Sequence, residues 1–338
     1  MGTTGPRQTL PTAIFGKAAL PSCLLASGCT GVQSALDPAG SEAADVATLF
    51  WAMAAGGAVI WLAVVSLLLY ASRARRTVYS ERAAGRLILW GGAVVPPLVL
   101  AVLLGYAFWL MPGMRPQVGA AAASALRIEV TGEQFWWRVS YHRGEGGAPV
   151  VTANEIRLPV GERVEFVLRS SDVIHSFWIP PLGGKMDMIP GRTNRLSLLA
   201  TKAGMFRGPC AEYCGTSHAF MAFTAVAMPP AEFDAWLEQR STPSSGVAGP
   251  GLAAFLGNGC GACHAVQGTE ARGLVGPNLS HIGSREMLAA GILPNTEVDI
   301  ARFIARPDAI KPGAKMPGYA MLPDEELRSI AAWLKGLR

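Results

Sequence analysis

Two thiols, an imidazole and a thioether lie within one short segment, which reads Cys210-Ala-Glu-Tyr-Cys214-Gly-Thr-Ser-His218-Ala-Phe-Met221. A further histidine, His175, lies upstream, after a predicted strand. Thiolate, thioether and imidazole ligands select copper, although zinc can also bind such groups. A one-copper electron-transfer site needs a single cysteine, whereas a second thiolate lets both sulfurs bridge two copper ions. The segment therefore predicts a dinuclear copper site that transfers electrons.

Other interpretations of these side chains stay open at this point. A Cys210–Cys214 disulfide can form outside the cytosol, and structural zinc would occupy a closed Cys/His site without needing a methionine. His175 alone could be a histidine of the core, and Met221 alone could be an ordinary core residue. It is their joint spacing that favours copper.

The second group with defined chemistry is Cys260-Gly-Ala-Cys263-His264, the C-x-x-C-H pattern of covalent c-type haem attachment. In that chemistry each thiol adds to a haem vinyl group, and the histidine supplies the proximal imidazole. Met316, before the last predicted helix, is the predicted second axial ligand. Three other side chains are candidates for that position: Met287, Met321 and His281. A redox-active dithiol would need a thioredoxin-like context, which the sequence lacks.

Two long uncharged runs, Val46–Ser72 and Leu87–Met114, exceed the roughly 20 residues that cross a bilayer as a helix. The short loop between them is rich in arginine: Arg73, Arg75, Arg76, Arg82 and Arg86. By the positive-inside rule this loop is cytoplasmic. The sequence therefore predicts a two-pass protein of the bacterial inner membrane, with everything after the hairpin on the periplasmic side.

The N-terminus has the pattern of an export signal. Lys17 precedes a short apolar run, Ala18–Ala26, which ends at Ser27-Gly28-Cys29. This predicts a signal peptide over residues 1–28. Small residues before Cys29 also resemble a bacterial lipoprotein cleavage box, which would leave Cys29 lipidated, while ordinary cleavage is the alternative.

The hairpin over residues 45–114 is followed by two regions of different periodicity. Residues 115–240 alternate in hydrophobicity and predict a β sandwich or barrel, and residues 241–251 predict a flexible Ser/Pro/Gly linker. Residues 252–338 have apolar side chains at helical spacing. The helices predicted there are Leu252–Leu256, Ser284–Ala290, Glu297–Ala305 and Asp324–Leu337. The formal net charge of +5 lies largely around the apolar third of the chain, so nothing indicates nucleic-acid binding.

The motif C-x-E-x-C-x-x-x-H-x-x-M, with a histidine upstream, resembles the CuA motif of cytochrome c oxidase subunit II. The resemblance covers about residues 45–240, and residues 252–338 resemble class I cytochromes c. Such a fusion is similar to the subunit II of caa3-type oxidases. It implies a multidomain membrane protein with a two-helix transmembrane hairpin, an all-β cupredoxin-like barrel and an all-α cytochrome c domain.

The resemblance also implies roles for the individual ligands of the copper centre. Cys210 and Cys214 would bridge the coppers, His175 and His218 would supply terminal imidazoles, and Met221 would be a weak axial ligand. Glu212 would give its backbone carbonyl to copper and its carboxylate to a Mg²⁺ ion shared with subunit I. Asp187 would lie near that Mg²⁺. The carbonyl of Pro277 would accept a hydrogen bond from the haem ligand His264.

Electrons are then expected to pass from soluble cytochrome c, or another donor, through haem c and CuA to subunit I, where oxygen is reduced with proton translocation. Subunit I, further oxidase subunits and membrane lipid are the expected partners. Two departures put details in doubt. Phe135 stands where many members place a tryptophan that receives electrons, and the second apolar run lacks a glutamate found in many members. The alternatives are a CuA subunit of another respiratory reductase, of the nitric oxide reductase type, and a membrane-held copper carrier.

Overall fold

The structure is a computed structural model that describes residues 30–73, 80–114, 126–143 and 147–338. The predicted signal peptide, Cys29 and the middle of the arginine-rich loop lie outside the described residues. Within these ranges the chain forms an apolar helical hairpin, a β domain and a helical domain, in that order. This is the order of elements that the sequence predicts.

Two helices are long and apolar enough to cross a membrane. Helix α1 is Ser41–Arg73, and the second apolar helix runs over Glu81–Gly113. Nearly all side chains of both helices are exposed in the isolated chain. A polypeptide in water would bury such surfaces, so they are suited to contact lipid or other subunits.

The second helix changes its winding along its length. It consists of α2 (Glu81–Ile88), a π-helical turn (Leu89–Val94), α3 (Val95–Leu110) and a final 3₁₀ turn (Met111–Met114). Pro96 and Pro97 have no N–H, and a proline ring crowds the carbonyl four residues before it. The wider π turn directly before this pair gives that ring room.

In the part of the β domain that the structure describes, ten strands form three sheets. They are β1 (Leu126–Glu133), β2 (Trp136–His142), β3 (Val150–Ala153), β4 (Glu155–Pro159), β5 (Arg163–Ser170), β6 (His175–Phe177), β7 (Met186–Met188), β8 (Asn194–Leu199), β9 (Gly204–Pro209) and β10 (Ala222–Met228). The large sheet has the order β3-β2-β1-β5-β8, the second has β4-β10-β9, and β6 pairs with β7. Helix α4 (Pro230–Ser241) follows the last strand.

Aromatic rings fill the space between the sheets. Along β1 and β2 every second side chain is buried, as alternation in the sequence predicts. Phe177 and Phe223 stack with centroids 5.0 Å apart, and Trp137 meets Phe223 edge-on at 5.3 Å. His175 lies 6.1 Å from Trp137, between ring centroids, so this rigid core supports the predicted copper ligands from below.

The helical domain packs three helices around one apolar cluster. Its elements are α5 (Pro250–Gly257), α6 (Cys260–Cys263), β11 (Met287–Leu288), β12 (Leu293–Pro294), α7 (Glu297–Ala305), α8 (Pro307–Ile310) and α9 (Asp324–Gly336). Helix α9 buries Leu327, Ile330 and Leu334, which share one helical face. Trp333 of α9 packs on Phe255 of α5, with ring centroids 5.0 Å apart.

The prediction of a helix over Ser284–Ala290 is wrong. The chain makes a 3₁₀ turn at Ile282–Ser284 and then pairs β11 with β12. Ala289 and Ala290 have φ values of 51° and 65°, in the left-handed region, where a right-handed helix cannot continue. The backbone oxygen of Ala290 instead accepts a hydrogen bond from Ala222 of the β domain, over 3.0 Å.

The segment predicted as a flexible linker is held against the helical domain. Ser245 donates its backbone N–H to the Arg338 carbonyl over 3.0 Å, and Trp333 donates its indole N–H to the Val247 carbonyl over 3.3 Å. The Thr242 carbonyl lies 3.0 Å from Nε2 of His281. These bonds give the connection a defined path between the two domains.

The N-terminal end of α1 packs against the β domain. Glu42 pairs with Arg163 over 2.6 Å, and its carboxylate accepts the Leu199 N–H over 3.2 Å. Gly40 lies so close that a Cβ there would be 2.3 Å from the carbonyl oxygen of Leu182. The membrane helix and the β domain therefore have a fixed attachment.

Candidate metal centres

The predicted copper ligands meet at one end of the β domain. His175 begins β6, and the loop from Cys210 to Met221 connects the antiparallel strands β9 and β10. The Cys210 N–H donates to the Met221 carbonyl over 2.8 Å, which closes the loop. Gly215, with φ of 128°, provides the turn between Cys214 and His218.

Both thiols face each other and each faces one imidazole. The Sγ atoms of Cys210 and Cys214 are 3.8 Å apart. Nδ1 of His175 lies 3.8 Å from Cys210 Sγ, and Nδ1 of His218 lies 3.6 Å from Cys214 Sγ. The ligand atoms of His175, Cys210 and Cys214 all lie within 4.8 Å of one another, and these three residues are buried. Both cysteines are free, so the arrangement is open to a metal rather than closed by a disulfide.

Two further groups complete the set that the sequence predicts. The Met221 Sδ atom is 3.8 Å from Cys214 Sγ, and the backbone oxygen of Glu212 is 3.3 Å from Cys210 Sγ. The structure thus brings together two sulfurs, two imidazoles, a thioether and a carbonyl. Soft ligands in this combination fit copper, and the second sulfur supports two ions.

Interactions between the two thiols change their pKa values in opposite directions. The hydrogen bond with Cys214 lowers the pKa of Cys210, and the same contact raises the pKa of Cys214. A metal that bound both sulfurs would displace the thiol protons that remain. Burial alone would lower the pKa of His175, but hydrogen bonds with Cys210 and Asp172 outweigh it and raise that pKa.

Two residues that the sequence analysis missed hold the ligands in place. Asp172 Oδ1 lies 2.9 Å from His175 Nε2, which directs Nδ1 towards the thiols. Gln134 donates its backbone N–H to Asp172 Oδ2 over 2.7 Å and its side-chain amide to the Cys214 carbonyl over 2.7 Å. Burial would raise the pKa of Asp172, but these hydrogen bonds lower it. Its position three residues before His175 was the available signal.

The C-x-x-C-H motif forms the short helix α6 and the residue after it. His264 places Nδ1 2.8 Å from the Pro277 carbonyl, so Nε2 is free to bind iron. A Cβ on Gly276 would lie only 2.5 Å from the His264 ring, so this glycine lets the imidazole sit against the loop. Burial lowers the pKa of His264, which favours the neutral, ligating form.

A cavity of about 350 Å³ opens beside this motif. Cys260, Cys263, His264 and Met316 all line it, and most of its other walls are apolar. The other candidates for the second axial ligand lie in three different places. Met287 also lines the cavity, and Met321 is 76% exposed outside it. His281 is hydrogen-bonded to the Thr242 carbonyl.

A buried guanidinium in the same cavity, which keeps one N–H without a partner in the described part of the chain although Nη2 donates to the Asn278 carbonyl, fits a haem. Arg285 lines the cavity, and its Nε atom is buried without a hydrogen-bond partner among the described residues. Burial lowers the pKa of Arg285 to about 10, so an anion beside it would be stabilising. Haem carries two propionates, and the apolar walls suit its ring. The residues present therefore fit the group.

Comparisons with known proteins agree with both centres. Residues 147–228 match the family described as cytochrome c oxidase subunit II, periplasmic domain, and residues 248–338 match the cytochrome c family. Cytochrome c oxidase subunit 2 of Alkalihalophilus pseudofirmus is 35% identical over 332 residues, covering 93% of this chain and 94% of that protein. The Bacillus subtilis subunit 2 is 36% identical, covering 65% and 64%.

A solved structure is also similar to part of the chain. The periplasmic domain of subunit II of cytochrome oxidase (CoxB) from Bradyrhizobium japonicum is 32% identical, with a TM-score of 0.33, covering 35% of this chain and 94% of that one. The two family matches, together with the two apolar helices, confirm the predicted fold class of a hairpin, a cupredoxin-like domain and a cytochrome c domain. The chain belongs to the cytochrome c oxidase subunit 2 family, in the form that carries a C-terminal cytochrome c domain.

Proposed function

We propose that this chain receives electrons at a haem c in its helical domain and delivers them through a CuA centre to the oxygen-reducing subunit of a haem–copper oxidase. The copper ligands are His175, Cys210, Glu212, Cys214, His218 and Met221. Cys260 and Cys263 would attach the haem, and His264 and Met316, which line the same cavity, would hold its iron. The alternatives, another reductase and a copper carrier, are not favoured, because the relatives are oxidase subunits.

One observation carries the proposal: the haem cavity and the copper ligands share a wall. Phe135 and Trp136 line the cavity from the side of the β domain. The neighbouring Gln134 donates its side-chain amide to the carbonyl of Cys214. Electron transfer needs short gaps of packed protein, and here one short segment contacts both sites.

Phe135 lies in the middle of this wall. It is 5% exposed, between the copper loop and the helical domain. A Cβ on Gly215 would be 3.1 Å from its ring, and a Cβ on Gly313 would be 3.4 Å from it. We propose that the helical domain covers the surface on which related subunits receive electrons, so that a tryptophan at this position is not required.

The ligand residues keep the copper site rigid and dry. With copper bound, the Cys210 and Cys214 thiolates would hold a centre that shares one electron between two metals, so that little rearrangement would accompany transfer. Cys210 and Cys214 are each at most 5% exposed, and the closed loop with the Asp172 and Gln134 hydrogen bonds limits their movement. Preorganisation of this kind keeps the ligand geometry nearly constant between oxidation states.

The remaining assignments concern the membrane and the partners. We propose a signal peptide over residues 1–28, the hairpin over 45–114, the CuA domain over 115–240, a connection over 241–251 and the haem domain over 252–338. The arginine-rich loop is then cytoplasmic and both redox domains are periplasmic. Glu212 would bind a Mg²⁺ shared with subunit I, and Asp187 would lie near it. Soluble cytochrome c, or another donor, would reduce the haem.

The test is electron paramagnetic resonance (EPR) with optical spectroscopy on the full chain, matured with haem and loaded with copper. The expected result is a mixed-valence two-copper signal, a low-spin c-type haem, and a copper-to-haem ratio that matches a dinuclear site. Cys214→Ser should abolish the two-copper signal and leave the haem spectrum unchanged. A single-copper signal in the unaltered chain would contradict the proposed centre.

A further inference from the structure

The helical domain docks directly on the copper loop. The Pro312 carbonyl accepts hydrogen bonds from Ser217 Oγ over 2.6 Å and from Thr216 Oγ1 over 3.0 Å. On the other side of the loop, the Ala222 N–H donates to the Ala290 carbonyl over 3.0 Å. These bonds flank His218 and Met221, so they fix the position of the haem domain relative to these two proposed copper ligands.

One ion pair of this interface also involves a residue that contacts a proposed copper ligand. Lys315 Nζ lies 3.2 Å from Asp172 Oδ2, and Lys315 directly precedes Met316. The other oxygen of the same carboxylate lies 2.9 Å from Nε2 of His175. The Lys315 side chain is 65% exposed, whereas that of Asp172 is 16% exposed.

Asp172 is thus shared between two elements with different roles. Towards the copper site it bonds to the ring nitrogen of His175 that points away from the thiols. Towards the haem domain it bonds to the residue next to the predicted axial methionine. A carboxylate bonded to a ligating imidazole makes that imidazole a stronger donor to its metal. A cation on the same carboxylate weakens this effect, because it withdraws negative charge from the imidazole.

We propose that Asp172 is a positioning residue through which docking of the haem domain tunes the copper centre. Lys315 withdraws charge from Asp172 only when the haem domain is docked. In that state His175 donates less charge, the reduced copper is stabilised, and an electron moves more readily from haem to copper. This inference rests on the proposed ligation of copper by His175.

The test is a double-mutant cycle on the full chain, with Lys315→Gln and Asp172→Asn alone and together. Each protein is reduced anaerobically by one electron, and the division of that electron between haem and copper is read optically. Lys315→Gln should move the electron towards the haem. This change in the haem-to-copper electron ratio should be about threefold larger with Asp172 present than in the Asp172→Asn background. The factor is modest because Lys315 is exposed. Any direct effect of Lys315 on the haem occurs in both backgrounds and cancels.

Two control variants separate coupling from loss of surface charge. Arg302→Gln removes an exposed cation from the same domain, with no ion pair among the described residues, and should leave the oxidised copper EPR spectrum unchanged. Lys315→Gln should change that spectrum, and Lys315→Arg should restore it. The spectrum reports the histidine ligand independently of turnover.

The possible outcomes are distinguishable. Equal shifts in the two backgrounds, or a Lys315→Gln spectrum identical to that of Arg302→Gln, would overturn the coupling and leave the copper assignment intact. Absence of the two-copper signal from the unaltered chain would overturn both. A cycle with the expected threefold interaction would support the inference.

Discussion

Gly132→Ala is expected to damage the copper centre through one added methyl group. Gly132 lies in β1, where it pairs with Trp137 of β2 and Ser170 of β5. A Cβ there would lie 2.7 Å from Cδ2 and 2.9 Å from Cγ of His175. Carbon atoms in contact are about 3.5–4.0 Å apart, so the imidazole must move by about 0.8 Å or the strands must separate.

The size of the effect follows from this displacement. Overpacking a core typically costs about 1–3 kcal/mol, so the domain should fold but be less stable by that amount. A ligand displaced by more than about 0.5 Å no longer holds a productive geometry. Copper retention should therefore fall by about tenfold or more, since about 1.4 kcal/mol corresponds to a tenfold change.

The assay measures copper per covalent haem after dialysis against a chelator, together with the copper EPR spectrum. The covalent haem serves as an internal reference for folded protein. Gly184→Ala is the matched control, because a Cβ there meets nothing within 4 Å. If Gly132→Ala kept the copper content and spectrum of the unaltered chain, the placement of His175 against β1 would be refuted.

Three further predictions concern the haem domain. Gly276→Ala would place a Cβ 2.5 Å from the His264 ring, so optical spectra should show loss of the low-spin haem while the copper EPR signal remains. Arg285→Gln removes a buried cation from the cavity and should lower the haem reduction potential by on the order of 50 mV, measured by optical redox titration. Burial, helped by Arg240, lowers the pKa of His281 to about 4. Because the unfolded chain binds this proton below about pH 6.5, up to about 3 kcal/mol of stability is lost as the pH falls towards 4, and chemical unfolding of His281→Gln should show a flatter pH dependence there.

The grouping of side chains in the loop from Cys210 to Met221 could be predicted because these proposed ligands are close in sequence. Cys210, Cys214, His218 and Met221 lie on one loop, and the structure gathers them as the spacing indicates. The C-x-x-C-H motif is equally local. Asp172 was missed because its role depends on contacts with Gln134 and Lys315 that are 38 and 143 residues away in sequence. Hydrophobic periodicity along the sequence does not report contacts between residues that are far apart in the chain.

The wrong helix over Ser284–Ala290 has a related cause. Its apolar residues serve two purposes, since Leu288 belongs to the core of the haem domain while Ala290 contacts the β domain. Apolar residues that contact two different domains can have the same spacing as one face of an amphipathic helix. The connection over 241–251 also has contacts that composition does not reveal, because Thr242 and Ser245 bond to the haem domain through their backbones.

The attachment of Glu42 to Arg163 has a consequence for biogenesis. Residues around Gly40 leave the ribosome long before β5 and β8, yet they complete the surface of the β domain. In the proposed orientation, the first apolar helix would insert before β8 has been synthesised, since Glu42 and Leu199 are separated by 157 positions. Closure of the β domain would then be a late step, which fixes the helix only after the whole copper-binding segment has been made. A fragment that starts after the hairpin lacks Glu42, so the Arg163 guanidinium would face water there instead of the Glu42 carboxylate.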